Sequence, residues 1–219
     1  MNEKYDTSPN MKIKKDSQNL VTLWTFQPYD IYQQILKEKV YFPQATEPFL
    51  PDWDHGYQWL IPQMNNRIGP SQQPGSFPIW AWYQWGSEIR KCPYIRAKGH
   101  FETGTHAVRI KFQKPLAEIL LSDFDLWHFP LAWKAYLPQN QLDENNFEEQ
   151  LKQINLKNTH FHQLPKSIQQ TIEKSWEHIF NLEYNNLDYS LPSQQKYIQA
   201  TFWSLDVNEI IQVEEFIAA

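Results

Sequence analysis

The stretch Ile79-Trp80-Ala81-Trp82-Tyr83-Gln84-Trp85 constrains the fold of this chain more than any other. Apolar and aromatic residues, broken by a single amide, follow the loop RIGPSQQPGSFP with its three prolines and two glycines. Such a run reads as a strand. Alternation then predicts Ile79, Ala81, Tyr83 and Trp85 on one face and Trp80, Trp82 and Gln84 on the other. Other strands are predicted in VTLWTF from Val21, in AVRIKF (107–112) and in KYIQATFW (196–203). LAEILL (116–121) reads as a strand or a buried run.

The helices are predicted from spacing. One starts at Pro28, which suits a first helical turn, and runs through Ile31, Tyr32, Ile35 and Leu36 to about Lys39. A second covers Tyr57–Met64, disturbed by Pro62. A short one falls between Phe124 and Tyr136, and another includes Phe147, Leu151 and Ile154. In 166–180, Ile168, Ile172, Trp176 and Ile179 form one stripe. A closing helix is predicted over 206–218, because Asp206 and Glu209 stand in a capping-box pattern. Strands and helices do not alternate regularly, which disfavours a doubly wound parallel sheet. The expectation is an α+β fold: a mixed, mostly antiparallel sheet core flanked by helices. Residues 1–19 read as a polar, mobile tail, and 20–219 as a single domain with a polar helical insertion near 139–165.

Composition excludes several classes. A net charge of −5 argues against a nucleic-acid binder driven by bulk charge, although Arg90, Lys91, Arg96 and Lys98 make the loop-like segment 86–105 locally basic. Cys92 is the only cysteine, so neither a disulfide framework nor a cysteine zinc site can form. No apolar run approaches the roughly 18 residues of a membrane helix, and a cytoplasmic location is expected. The ten Trp, eleven Tyr and thirteen Phe exceed what a core hides completely. Trp24, Trp80, Trp82, Trp85 and Trp203 suggest a groove walled by aromatics, which suits a flat ring or a stacked nucleic-acid base.

The second informative stretch is LLSDFDLWH (120–128). Asp123 and Asp125 allow three readings: caps of a following helix, oxygen ligands of a metal joined by His128, or a carboxylate pair at the mouth of a cleft. No metal-binding motif accompanies them. Arg67 would suit a pyrophosphate if a cleft is near, and Gln27 and Gln199 are amides on strands or strand ends.

The blocks LWTFQP, RIGP, PIWAWYQW, LLSDFDLWH and IQATFW, in this order, resemble an uncharacterised bacterial family, a domain of unknown function, from about Leu23 to Phe216. The order of elements also resembles ADP-ribosyltransferases, particularly those that modify nucleic acids. In these, a first strand carries a His or Arg that contacts NAD, a middle strand an aromatic or hydroxyl that stacks on nicotinamide, and a late strand a catalytic Glu. The resemblance implies NAD or a related nucleotide as the ligand and a nucleic acid or protein as acceptor. Trp24, Thr25 and Gln27 would line one wall, with Thr25 or Gln27 where His or Arg is expected. Tyr83 would stack the leaving ring, Trp82 would be a further cofactor-binding residue, and Arg67 would meet phosphate. Gln199 stands in the approximate place of the Glu. It can bond a ribose hydroxyl but carries no charge, so Asp123 or Asp125 would supply the missing carboxylate. Two alternatives stand beside this reading: a non-catalytic module that binds protein or nucleic acid, and a metal-dependent nuclease or phosphoesterase built on Asp123, Asp125 and His128.

Overall fold

Backbone pairing organises this chain around one sheet. The computed structural model describes residues 19–44, 54–86, 92–95 and 100–219. Residues 1–18 of the predicted tail, residues 45–53 and the basic residues Arg90, Lys91, Arg96 and Lys98 lie outside the described residues. The elements in chain order are β1 (Leu20–Pro28), α1 (Tyr29–Glu38), β2 (Val40–Tyr41), α2 (Asp54–Ile68), β3 (Ile79–Gln84), β4 (His106–Pro115), β5 (Leu120–Asp123), α3 (Gln141–Gln153), α4 (Lys166–Ser175), β6 (Ile198–Phe202), β7 (Leu205–Asp206) and β8 (Ile210–Ile217). Six strands form a sheet in the order β5-β6-β3-β1-β4-β8, while β2 and β7 pair separately. Each of these pairings is antiparallel. The fold is α+β, as the irregular order of strand and helix signals implies.

Strand alternation sends successive side chains into different cores. Leu23, Ile79, Ala81, Val108, Ile110, Phe112, Ala200 and Phe202 gather on one face, with Ile35 of α1. The other face meets a larger cluster that includes Leu60 and Met64 of α2, Leu126, Trp127, Phe129, Ile168 and Ile172 of α4, and Trp176. The sheet is therefore covered on both sides, which explains why its central strands carry few charges. The polar 139–165 region is tied in through Phe147, which stacks on Tyr136 with ring centroids 4.0 Å apart.

The predicted closing helix is a strand. Its capping box does form: the Asp206 carboxylate accepts from Asn208 N at 2.8 Å, and Glu209 accepts from Asp206 N at 3.1 Å. It closes only one 3-10 turn, Val207–Glu209. Glu209 is then held by buried Lys114 Nζ at 2.7 and 2.9 Å, which fastens the turn to β4. Ile210, Ile211 and Val213 are β-branched and favour extended backbone, and β8 pairs with β4 from His106 to Phe112. Elsewhere the helical bounds shift. α2 runs through Pro62 to Ile68, 124–136 folds as a 3-10 turn and a π turn, and the stripe over 166–180 divides into α4 and a 3-10 turn from Trp176 to Phe180.

An aromatic cleft beside a buried ion pair

β1, β3 and β6 are neighbours in the sheet. Trp24 pairs with Trp82, and Trp82 with Gln199. Residues directly opposite in an antiparallel sheet point to the same face, so Trp24, Trp82 and Gln199 form one row. A cleft of about 600 Å³ opens on this face, lined by Phe26, Trp80, Trp82, Trp85, His100, Phe101, Phe124, Asp125, Tyr197 and Gln199. That volume suits a small organic ligand.

The walls are set nearly at right angles. Trp85 meets Trp82 at 4.5 Å and 87°, and Tyr197 at 5.2 Å and 90°. Phe124 lies 5.1 Å from Trp82. Strict alternation would put Trp85 on the face of Ile79 and Ala81. A register shift between Trp82 and Gln84 against β6 breaks that alternation, and a bulge of this kind re-aims the side chains beyond it. Gln84 is buried and donates to the carbonyls of Ser193 and Lys196 at 3.2 and 3.1 Å. Trp85 joins the cleft instead.

Gly86 turns the chain just beyond Trp85 with φ of +67°, and a Cβ there would stand 2.9 Å from the Tyr197 ring. Gly86→Ala is expected to cost about 1–3 kcal/mol, combining left-handed strain with displacement of Tyr197. Chemical denaturation measures the loss. An unchanged midpoint would mean that this turn relaxes freely.

The two aspartates have different fates. Asp123 is fully buried. Its Oδ2 accepts from Lys196 Nζ at 2.6 Å and from Ser190 Oγ at 2.5 Å, and Lys196 Nζ also contacts Ser190 Oγ. Its Oδ1 accepts from Asp125 N at 3.0 Å, which orders the local turn, but the N-cap of the following 3-10 turn is Phe124, without a side-chain cap bond. Burial alone would penalise either charge, and the pair persists because each neutralises the other. Phe124 N donates to Tyr197 O at 2.8 Å. The ion pair and this bond together fasten two cleft segments, 123–125 and 196–199. Asp125 lines the cleft itself, and its carboxyl is pushed above the usual range, mainly by burial and then by the nearby Asp123 charge.

Several expected site residues stand elsewhere. Tyr83 packs against the core on the opposite face. Thr25 and Gln27 share the parity of Leu23. Thr25 Oγ1 donates to the Trp80 carbonyl at 2.8 Å and accepts from Gln27 Nε2 at 2.9 Å. Arg67, near the end of α2, lies 4.6 Å over the Phe180 ring and 3.4 Å from Glu177, and it does not line the cleft. Trp24 shares the row but is not part of the lining. The cleft thus gathers Trp80, Trp82, Trp85, Asp125 and Gln199 from the expected residues, while Trp203 is not in the lining and donates its Nε1 to the Gly69 carbonyl at 2.8 Å. The cleft adds Phe26, His100, Phe101, Phe124 and Tyr197, which no spacing pattern singles out. Among the described residues no group of three or more His, Cys, Asp and Glu side chains is placed to hold a metal ion. Asp123 is neutralised by Lys196, and His128 Nδ1 is engaged with the Asp125 carbonyl at 2.9 Å.

Fold and cleft together define an α+β domain with an aromatic-walled cleft on one face of its sheet. The chain belongs to a family described as a domain of unknown function (DUF3841), whose model matches residues 22–211. Neither the curated proteins nor the solved structures contain a match to it. Among the described residues no helix is long and apolar enough to cross a membrane.

Proposed function

We propose that this domain binds NAD or a related nucleotide through a flat ring held in the aromatic cleft, and transfers its ADP-ribosyl group to a nucleic acid or protein. The carrying observation is the row Trp24, Trp82 and Gln199 on three adjacent strands, opening on the cleft that Asp125 lines. These are the first, middle and late strands that the ADP-ribosyltransferase resemblance singles out. Trp82 and Trp85 wall the slot for the ring. Gln199 bonds a ribose hydroxyl. Asp125 supplies the negative charge that Gln199 lacks.

In the reaction the bond between the nicotinamide nitrogen and ribose C1 breaks, and its electron pair leaves with nicotinamide. The positive charge that develops on the ribose is stabilised by a fixed carboxylate in a site of low polarity. The acceptor then bonds to C1 and releases a proton. A half-buried Asp125 with a raised pKa takes up that proton more readily than an ordinary carboxylate does.

Incubation with labelled NAD, nucleic acid and protein acceptors tests the reading. Asp125→Asn is expected to lower label transfer about 100-fold. The same variant should melt higher than the wild type near pH 7. Burial makes the folded protein hold the Asp125 proton at pH values where the unfolded chain has released it. The stabilisation from that proton is lost as pH rises through the aspartate range, and asparagine loses nothing there. Below about pH 3 the two proteins should melt alike. Transfer at the wild-type rate in the variant contradicts the role of Asp125. Saturable NAD binding without transfer by the wild type supports the non-catalytic alternative, which the uncharged Gln199 favours.

A further inference from the structure

The His100 ring stands in the cleft with an unmet hydrogen bond. It stacks on Phe26 of β1 with centroids 4.0 Å apart and planes 18° apart, and it lies 5.8 Å from Trp85. Its Nε2 is buried and has no hydrogen-bond partner among the described residues. Buried polar atoms in folded proteins are nearly always paired, because leaving one unpaired costs about 1–3 kcal/mol. A purely structural histidine would have its ring nitrogen bonded to a carbonyl or a carboxylate. Here the ring is fixed by stacking and the nitrogen is left over. Burial also pushes the imidazole pKa down, which keeps the ring neutral near physiological pH, with one nitrogen a donor and the other an acceptor.

We infer that His100 is a ligand-reading residue, whose Nε2 forms a hydrogen bond with a hydroxyl, amide or ring nitrogen of the molecule that fills the aromatic cleft. The lining narrows the chemical class. Its polar groups besides His100 are the Asp125 carboxyl, the Gln199 amide, the Tyr197 hydroxyl and the indole N–H groups of Trp80, Trp82 and Trp85, and among the described residues no Lys or Arg belongs to it. Arg109, in register with Phe26, is bonded to the Pro93 carbonyl at 2.7 Å and to Glu214 at 2.5 Å. The part of the ligand that meets these walls is therefore a flat heteroaromatic group with polar hydrogens or ring nitrogens on its edge. The inference rests on the reading of the cleft as a ligand site, and not on NAD being the ligand.

The test uses the full chain labelled at histidine, with NAD, adenosine and nicotinamide as separate probes. His100→Phe keeps the stack on Phe26 and removes the nitrogens, and it also assigns the His100 imidazole signals. The expected result is that at least one probe shifts the His100 Nε2 resonance at saturation. That probe should bind His100→Phe about 10-fold more weakly, although the ligand-free variant melts no lower than the wild type because the unpaired nitrogen is gone, and His100→Gln should recover part of the loss. If adenosine or nicotinamide gives this result and NAD does not, the inference stands and the NAD reading falls. If NAD binds the wild type and His100→Phe with equal affinity, the NAD reading stands and the inference is overturned. Absence of any His100 shift with all three probes also overturns it.

Discussion

Lys196→Met is expected to lower the melting temperature by about 6–20 °C, equivalent to roughly 3–5 kcal/mol. Lys196 and Asp123 are both fully buried and 2.6 Å apart. Removing the cation leaves a carboxylate out of reach of solvent, with Ser190 Oγ and Asp125 N as its remaining partners. Neither neutralises a full charge. Asp123→Asn removes the opposite charge and strands Lys196. The double variant is therefore expected to recover more than half of the loss, and thermal unfolding of both singles and the double gives the coupling directly. Losses below about 1 kcal/mol in both singles would show that water reaches the pair. The lesion should extend to ligand binding, because the ion pair holds together the segments that carry Phe124, Asp125, Tyr197 and Gln199.

The second large effect is expected at Trp82. It is 7% exposed, central in the row across β1, β3 and β6, and in edge contact with Trp85 and Phe124. Trp82→Ala removes the ring that these two lean against and should cost about 3–5 kcal/mol of stability. It should also weaken ring binding by up to about 100-fold, on the scale of one base stacked on an aromatic side chain. Trp82→Phe keeps a flat surface and should remain within about 10-fold of wild type. Fluorescence titration separates the two variants. Equal affinity for the alanine and phenylalanine variants would exclude Trp82 as a stacking platform.

Local pattern carries much of the fold. The runs from Val21, Ile79 and Ala107 are strands because β-branched and aromatic residues favour extended backbone, and Pro28 marks the entry to α1. The end of the chain is harder to read, because a capping box specifies a single turn and leaves the conformation of 210–217 open. Whether that segment continues as helix or strand depends on β4 offering a free edge and on Lys114 fastening Glu209, both long-range facts. The face of Trp85 escapes local pattern for a related reason: period-two alternation assumes an unbroken register, and the bulge is a property of the β3–β6 pair.

At the site, aromatic content and the Asp-x-Asp stretch correctly suggest a cleft with carboxylates beside it. Which carboxylate faces the cleft is not legible. Nothing near Asp123 in sequence announces Lys196 or Ser190, and the spacing of Asp123 and Asp125 is compatible with shared or divided roles. His100 has no motif to mark it, since its position depends on the fold placing it against Phe26. The ADP-ribosyltransferase resemblance points to Thr25, Gln27 and Tyr83, but their parity turns them to the opposite face.

Calorimetric titration of NAD into the wild type and Trp82→Ala decides most directly whether the cleft takes a nicotinamide nucleotide. The prediction is saturable one-site binding to the wild type, weakened about 100-fold in the variant. No heat of binding to a folded wild type, or equal affinity in the two proteins, would contradict it.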